Sequence, residues 1–250
     1  MADLLHRVFV TPLRLFNHAV RRLAAATHYF QYKVEGALRP SAEWFDHHLD
    51  AVWQWPRRGR GGFVERGVLS SLTLSPSSSL LELACGDGFY ARHFYAPRTA
   101  RVLAVDANRS ALRHARRFNG APNVSYQYCD ITRGLPAGRF DAVVWNTAIH
   151  HFTREQAQAI LVRIAGVLAP EGTLSGHTEI EPGSRYEYAR QSFSDAGDLA
   201  QLLNSVFPHV CVRTTPEPGR LNLYFFAAAT PTALPFDPRR EDVVVLPAEA

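Results

Sequence analysis

The segment Leu80-Leu-Glu-Leu-Ala-Cys-Gly-Asp-Gly-Phe-Tyr90 carries the strongest chemical signal in the chain. An apolar run holds a carboxylate, Glu82, and then turns through Gly86 and Gly88. In a sheet wound from alternating strands and helices, ligands sit beyond the carboxyl ends of the strands, and a glycine turn lets the backbone come close to them. Asp106 ends the next apolar run, about 20 residues further on, where a carboxylate can accept both ribose hydroxyls of a nucleotide-like ligand. Cys129-Asp130-Ile131 follows a third run, and an acid there can meet an adenine amino group. Each feature also has a plain structural use: a glycine turn can simply turn, and Asp106, Asn108 or Ser110 can cap the helix that follows. Three acids at three successive strand ends specify a ligand site better than any one of them.

Which nucleotide is meant depends on finer detail. Gly86-Asp-Gly-Phe-Tyr-Ala91 also satisfies the dinucleotide pattern, which keeps a nicotinamide cofactor as an alternative. Against it, Glu82 would be ill placed beside a pyrophosphate and well placed near a cationic amino-acid head. His150 and His151 follow the fourth apolar run at the mouth of such a site, and histidine can take a proton near neutral pH. Either can instead pack or fix its loop; His151 is marginally the better candidate base. No metal is expected, because His47-His48 and His150-His151 are adjacent pairs whose side chains diverge on a helix, and no Cys/His spacing suggests zinc.

The elements that must position these residues read clearly after residue 79. Strands are expected at 80–83, 102–105, 124–128, 141–145 and 173–178, and helices at 89–95, 112–118 and 155–168. Thr153 with Gln156 fits a capping box for the last of these, and Pro170-Glu-Gly172 a turn into the fifth strand. Alternation of this kind implies a parallel, doubly wound α/β sheet with right-handed crossovers. The end differs: a helix over 199–206, then strands at 210–213 and 221–226 that read as an antiparallel pair at the sheet edge. Before residue 79, helical stretches are expected at 16–34 (ended by Gly36 and Pro40), 44–53 and 63–72. The reading is an N-terminal helical cap or lid over 1–75, a cofactor domain over 76–230 and an irregular tail over 231–250, where prolines recur at 231, 235, 238 and 247.

With those residues in place, the chain resembles the class I S-adenosylmethionine-dependent methyltransferases. Their acid-x-Gly-x-Gly-x-Gly turn appears as Glu82-Leu-Ala-Cys-Gly-Asp-Gly88, with Ala84 in place of the first glycine. Asp106 matches the family's ribose-binding acid and Asp130 its adenine-side acid. Phe140-Asp-Ala-Val-Val-Trp-Asn-Thr-Ala-Ile-His-His-Phe152 looks like the family's segment through strand four, and Leu168-Ala-Pro-Glu-Gly-Thr173 like its turn before strand five. The resemblance covers residues 65–228 and implies a mostly parallel seven-stranded sheet with the last strand inserted antiparallel. It also implies S-adenosyl-L-methionine as cofactor, with S-adenosyl-L-homocysteine as product. Glu82, Ala84, Cys85, Gly86, Asp87 and Gly88 would hold its methionine end. Asp106 with Ala107 would take the ribose, Asp130 with Ile131 the adenine, and Asn146 would lie beside the sulfonium. Arg66, Tyr29 and Tyr32 are candidates to close on the cofactor carboxylate.

Composition narrows the function. The chain has 250 residues, of which 46% are apolar and 20% charged, enough for a large core and too apolar for general disorder. Cys85, Cys129 and Cys211 are too few and too scattered for a disulfide framework. No apolar stretch approaches the roughly 18 residues of a membrane span, and arginines interrupt any secretory core, so a soluble cytoplasmic protein is expected. Lys33 is the one lysine among 27 basic residues, and Arg57-Arg-Gly-Arg60 and Arg113, Arg116 and Arg117 form no dense stripe, so nucleic acid is not the expected partner. After the fourth strand, Asn146-Thr147-Ala148-Ile149 lacks the Pro-Pro-aromatic run of the family's amino-methylating nucleic-acid enzymes, and no cysteine has the neighbouring proline of a cytosine C5 nucleophile. The expectation is methyl transfer to an O or N atom of a small-molecule acceptor. An RNA or protein methyltransferase, or a non-methylating domain that binds the cofactor as a regulatory partner, are the alternatives. Tyr29, Tyr32, Trp44, Phe45, Trp53, Trp55 and Phe63 can line an acceptor pocket or be core, and 16–34 could also lie on a membrane surface.

Overall fold

The computed structural model of the protein describes residues 10–38, 46, 47, 51, 59, 61–181, 189–236 and 243–246. They belong to two compact units that divide at Gly61 and Gly62. Apart from residues 46, 47 and 51, the helix expected over 44–53 lies outside the described residues, as do the aromatics Trp44, Phe45, Trp53 and Trp55 and the basic residues Arg57, Arg58 and Arg60.

The first unit contains α1 (Thr11–Leu38). It starts earlier than expected because Pro12 sits in the first turn, where a missing N–H costs nothing. It also runs past Gly36, since one glycine costs a helix only about 1 kcal/mol.

The second unit is built on a sheet of β1 (Ser79–Leu83), β2 (Arg101–Asp106), β3 (Val124–Tyr128), β4 (Phe140–Asn146), β5 (Leu168–Ile180), β6 (His209–Glu217), β7 (Arg220–Ala228) and β8 (Val243–Leu246). The spatial order is β3-β2-β1-β4-β5-β7-β6-β8. The first five strands run parallel, and β7 is inserted antiparallel between β5 and β6. This is the doubly wound, mostly parallel sheet that the sequence implied. An eighth strand is the addition. Where the prolines pointed to an irregular tail, Val243-Val-Val-Leu246 pairs antiparallel with β6, as a β-branched run favours. The Pro170-Glu-Gly172 turn is likewise taken up inside β5, as a register shift against β4 between Phe140 and Ala142.

Among the described residues, four α-helices flank the sheet: α2 (Gly62–Ser70), α3 (Arg109–Phe118), α4 (Arg154–Val167) and α5 (Ala196–Asn204). Because α2 belongs to this unit, the sheet-bearing part starts at Gly62 and not at the border read near residue 75. The Asn108 side chain caps α3 through Ser110 N and Ala111 N, which leaves Asp106 for other work. Thr153 and Gln156 form the capping box of α4. Residues 91–95 wind as a π-turn, followed by a tighter turn at 96–98. The central strands are covered on both faces, so they read as continuous apolar runs. Leu81, Leu83, Val143 and Trp145 face α4 and α5, and Leu80, Ala142 and Val144 face Tyr90 and Tyr95.

Sheet packing is tightest at Gly176, where an added Cβ would strike the Phe225 ring and the Trp145 carbonyl. Gly176→Ala should therefore lower stability by about 2–3 kcal/mol through overpacking. Thermal unfolding reads the loss, and an unchanged midpoint would show that β5 and β7 can part without cost.

Candidate functional site

The site is assembled at the carboxyl ends of β1, β2 and β4. After β1 the chain turns through Ala84, Gly86 and Gly88 with φ of 54°, 53° and 75°. Left-handed backbone costs a residue with a Cβ about 1–2 kcal/mol, so Ala84 holds strain at the position where the family has glycine. The turn is bound to its surroundings at every step. Cys85 N donates to Val105 O (3.0 Å), Gly86 N to Asp106 Oδ2 (2.9 Å) and Gly88 N to Cys85 O (3.0 Å). Asp87 Oδ1 accepts from Phe89 N, and Asn119 Nδ2 donates to Asp87 O (2.7 Å). A Cβ at Gly88 would run into the Tyr126 ring, whereas nothing stands within 4 Å of one at Gly86. The loop is packed from below by Tyr126 and open above Gly86.

Glu82 is buried, and its Oε2 has no hydrogen-bond partner among the described residues. Burial, with Asp87 and Asp106 adding repulsion, raises its pKa well above the ordinary carboxylate range. A cation would reverse that balance. Burial also pushes the Cys85 thiol up, so it is an unreactive wall of the turn rather than a nucleophile.

Asp106 closes β2 with each oxygen on a backbone N–H: Oδ2 on Gly86 and Oδ1 on Asn108 (2.7 Å). It thereby sets the shape of the glycine turn, while each oxygen keeps a lone pair for a further donor. Ala107 next to it is exposed. Asp130 follows β3; its Oδ1 accepts from the Thr132 hydroxyl (2.6 Å) and N (3.0 Å), and the hydroxyl contributes most to holding its pKa low. It borders a hollow of about 460 Å³ with Tyr128, Cys129, Arg133 and Gly134. Ile131 turns the other way, into the core.

At the end of β4, Asn146 is fixed from both sides: Ser70 Oγ donates to its Oδ1 (3.1 Å) and its Nδ2 donates to Tyr95 OH (2.9 Å). Thr147 then takes φ of 50°, a strained conformation for a β-branched residue. The buried Arg66 of α2 donates from Nη1 to Thr147 Oγ1 (2.8 Å) and lies 5.7 Å from the centre of the Tyr90 ring. Ser70, Tyr90, Tyr95 and Thr147 escaped the sequence reading, because contacts across 76 or 51 residues leave no local pattern.

His150 and His151 lie on the turn Ile149–His151, with ring centres 4.3 Å apart. His150 is buried, with Nδ1 3.3 Å from Thr178 Oγ1; burial, then the neighbouring His151, lower its pKa to about 4. Its carbonyl accepts from Arg190 N and Gln191 N. His151 is only half-buried. Of the remaining expected residues, Tyr29 is half-exposed on α1, with Lys33 Nζ 5.7 Å from its ring centre, and the Tyr32 side chain lies outside the described residues.

A family model described as a methyltransferase domain matches residues 80–172, which span β1 through the bulge of β5. An uncharacterized methyltransferase of Mycobacterium bovis is 38% identical over 157 residues, covering 62% of this chain and 78% of its own. Among solved structures, the N-methyltransferase NodS from Bradyrhizobium japonicum WM9 in complex with S-adenosyl-L-homocysteine is similar in fold, at 19% identity and a TM-score of 0.54. That match covers 72% of this chain and 93% of NodS. A second fold match, at 19% identity and a TM-score of 0.52, is the DhpI complex with the same product, covering 73% of this chain and 91% of DhpI. Sheet order, glycine turn, strand-end acids and curated relatives converge, and the chain belongs to the class I S-adenosylmethionine-dependent methyltransferases.

Proposed function

We propose that the protein transfers a methyl group from S-adenosyl-L-methionine to an O or N atom of a small-molecule acceptor. The observation that carries this reading is the buried Glu82 carboxyl, whose Oε2 has no hydrogen-bond partner among the described residues, under an open glycine turn. That arrangement fits a ligand with a cationic amino-acid head and disfavours a pyrophosphate. The N-methylating activity named for NodS, a protein of the same fold, points the same way.

When bound, the cofactor supplies a methyl group already activated by its positive sulfur, so the protein's main task is to position the two reactants. In this reading Glu82 pairs with the amino group, and the backbone of Ala84, Cys85, Gly86, Asp87 and Gly88 follows the methionine moiety. Arg66 is the candidate for the carboxylate. Asp106 and Ala107 border the ribose, and Asp130 the adenine, with Ile131 contributing backbone only. Asn146, held by Ser70 and Tyr95, presents its amide beside the reacting carbon. His151 is the candidate base where the acceptor must lose a proton. His150, with a pKa of about 4, is neutral at physiological pH and too weak a base for that step; it fits a role in fixing the loop through Thr178.

Calorimetric titration with S-adenosylhomocysteine, with NAD as the control ligand, tests the cofactor. Micromolar binding of the former alone is expected, and binding of NAD alone would recast the turn as a pyrophosphate site. A panel of small acceptors then tests the reaction: turnover should be independent of salt, whereas steep loss with salt would favour a nucleic-acid acceptor. On a responsive acceptor, His151→Ala should lower turnover about a hundredfold with cofactor affinity unchanged. Full turnover in that variant would remove His151 from the chemistry.

A further inference from the structure

α1 carries an apolar face that the methyltransferase reading does not use. Leu13, Phe16, Val20, Leu23, Phe30 and Val34 recur at helical spacing along one side of the helix. Phe16 is 68% exposed and Phe30 70%, with Leu13 and Leu23 nearly as open. Isolated exposed apolar residues are ordinary on a protein surface, but a continuous stripe along a helix of 28 residues is not.

The charges on the same helix say what such a stripe fits. Along the helix stand Arg14, Arg21, Arg22 and Lys33 against one acid, Glu35. On a helical wheel all four cations stand on the half of the helix turned away from the apolar face, with Lys33 and Arg22 the nearest to it. Cations placed so can keep their heads in water beside an apolar surface that is sunk into a second phase. A second copy of the helix fits less well. Beside the stripe only Glu35, in the last turns, offers an acid to pair with the four cations of a partner, so two such helices would bring together mostly like charge. Among the described residues no helix is long and apolar enough to cross a membrane, which leaves lying in the interface as the way to meet lipid.

We propose that α1 docks the protein onto an anionic lipid surface, with Phe16, Leu23 and Phe30 entering the boundary between headgroups and acyl chains and the cations meeting lipid phosphates. The inference stands apart from the identity of the acceptor, and its test reads binding rather than turnover.

The full-length protein is floated with vesicles of phosphatidylcholine alone, or with roughly one part in three of phosphatidylglycerol. Binding to the anionic vesicles should exceed that to neutral ones about tenfold and weaken with salt. Leu23→Asp and the double variant Arg21→Glu/Arg22→Glu should each abolish it, with helicity and S-adenosylhomocysteine affinity retained, because the altered residues are exposed. Equal retention on both kinds of vesicle, or none on either, overturns the proposal. So does loss of self-association in Leu23→Asp with flotation unchanged, which would assign the face to a second copy. A change in cofactor affinity in that variant with flotation unchanged would assign it to the protein's own sheet-bearing unit.

Discussion

Glu82→Gln is expected to make the ligand-free protein more stable and its cofactor binding weaker, in one substitution. The carboxyl is buried, and Asp87 and Asp106 add to the cost of ionising it. Its folded-state pKa stands well above the ordinary 4.5, so the folded chain keeps a proton that the unfolded chain has released. The sign of the linkage follows. The carboxyl's contribution to stability is fully present below the ordinary value and is lost as pH rises through the raised folded-state value. Glutamine keeps the shape and removes the titration. At neutral to alkaline pH it should add about 1–3 kcal/mol to ligand-free stability and flatten its fall with rising pH.

Binding should respond in the opposite sense. A cationic amino group brought against Glu82 favours the ionised carboxylate, so ligand binding in the wild type should release a proton, and affinity should improve as pH rises toward the raised value. Glu82→Gln should cost about tenfold to a hundredfold in S-adenosylhomocysteine affinity, the loss expected when a charged hydrogen-bond partner is removed. Calorimetry in buffers of different ionisation enthalpy reads the proton directly. A variant that binds as tightly as wild type, with no proton released by either, would separate Glu82 from the amino group. A stabilised variant that binds poorly is the pattern of a site held ready at the expense of the fold.

The parts of this site that were legible in the sequence are those written locally. Glu82, Gly86 and Gly88 lie within seven residues of one another at the end of β1, and Asp106 and Asp130 lie at or just past the ends of β2 and β3. Parallel strands buried on both faces are continuous apolar runs, so β1, β2 and β4 were located to within a residue, as was the order of strands and helices. The extent of β6 and β7 was not, because Pro216 and Glu217 extend β6, and Ala227 and Ala228 extend β7, with residues that strands disfavour. β8 was hidden behind prolines that precede it. The support of Asn146 was hidden for another reason: Ser70 and Tyr95 come from α2 and from the turn after the glycines, and only the folded sheet brings them to β4. Ala84 shows the two kinds of information meeting. The sequence gives its departure from glycine, and its φ of 54° gives the physical cost.

Asp106→Ala should have the second large effect, and it must be separated into two parts. One is a loop effect. Without the carboxylate, Gly86 N and Asn108 N lose their acceptors, the turn loses its tie to the end of β2, and stability should fall by about 1–3 kcal/mol. The other is the ribose itself, and affinity for S-adenosylhomocysteine should fall at least about tenfold, or about 1.4 kcal/mol. A weaker binder alone would not tell a missing ribose contact from a misshapen glycine turn. The deoxyribose analogue of the same ligand makes the distinction, because it lacks one hydroxyl while passing through the same turn. If Asp106 holds the ribose, wild type should prefer the natural ligand and Asp106→Ala should prefer it much less, leaving a coupling between residue and hydroxyl. If both proteins discriminate equally, Asp106 serves the turn alone. The ribose would then be held elsewhere.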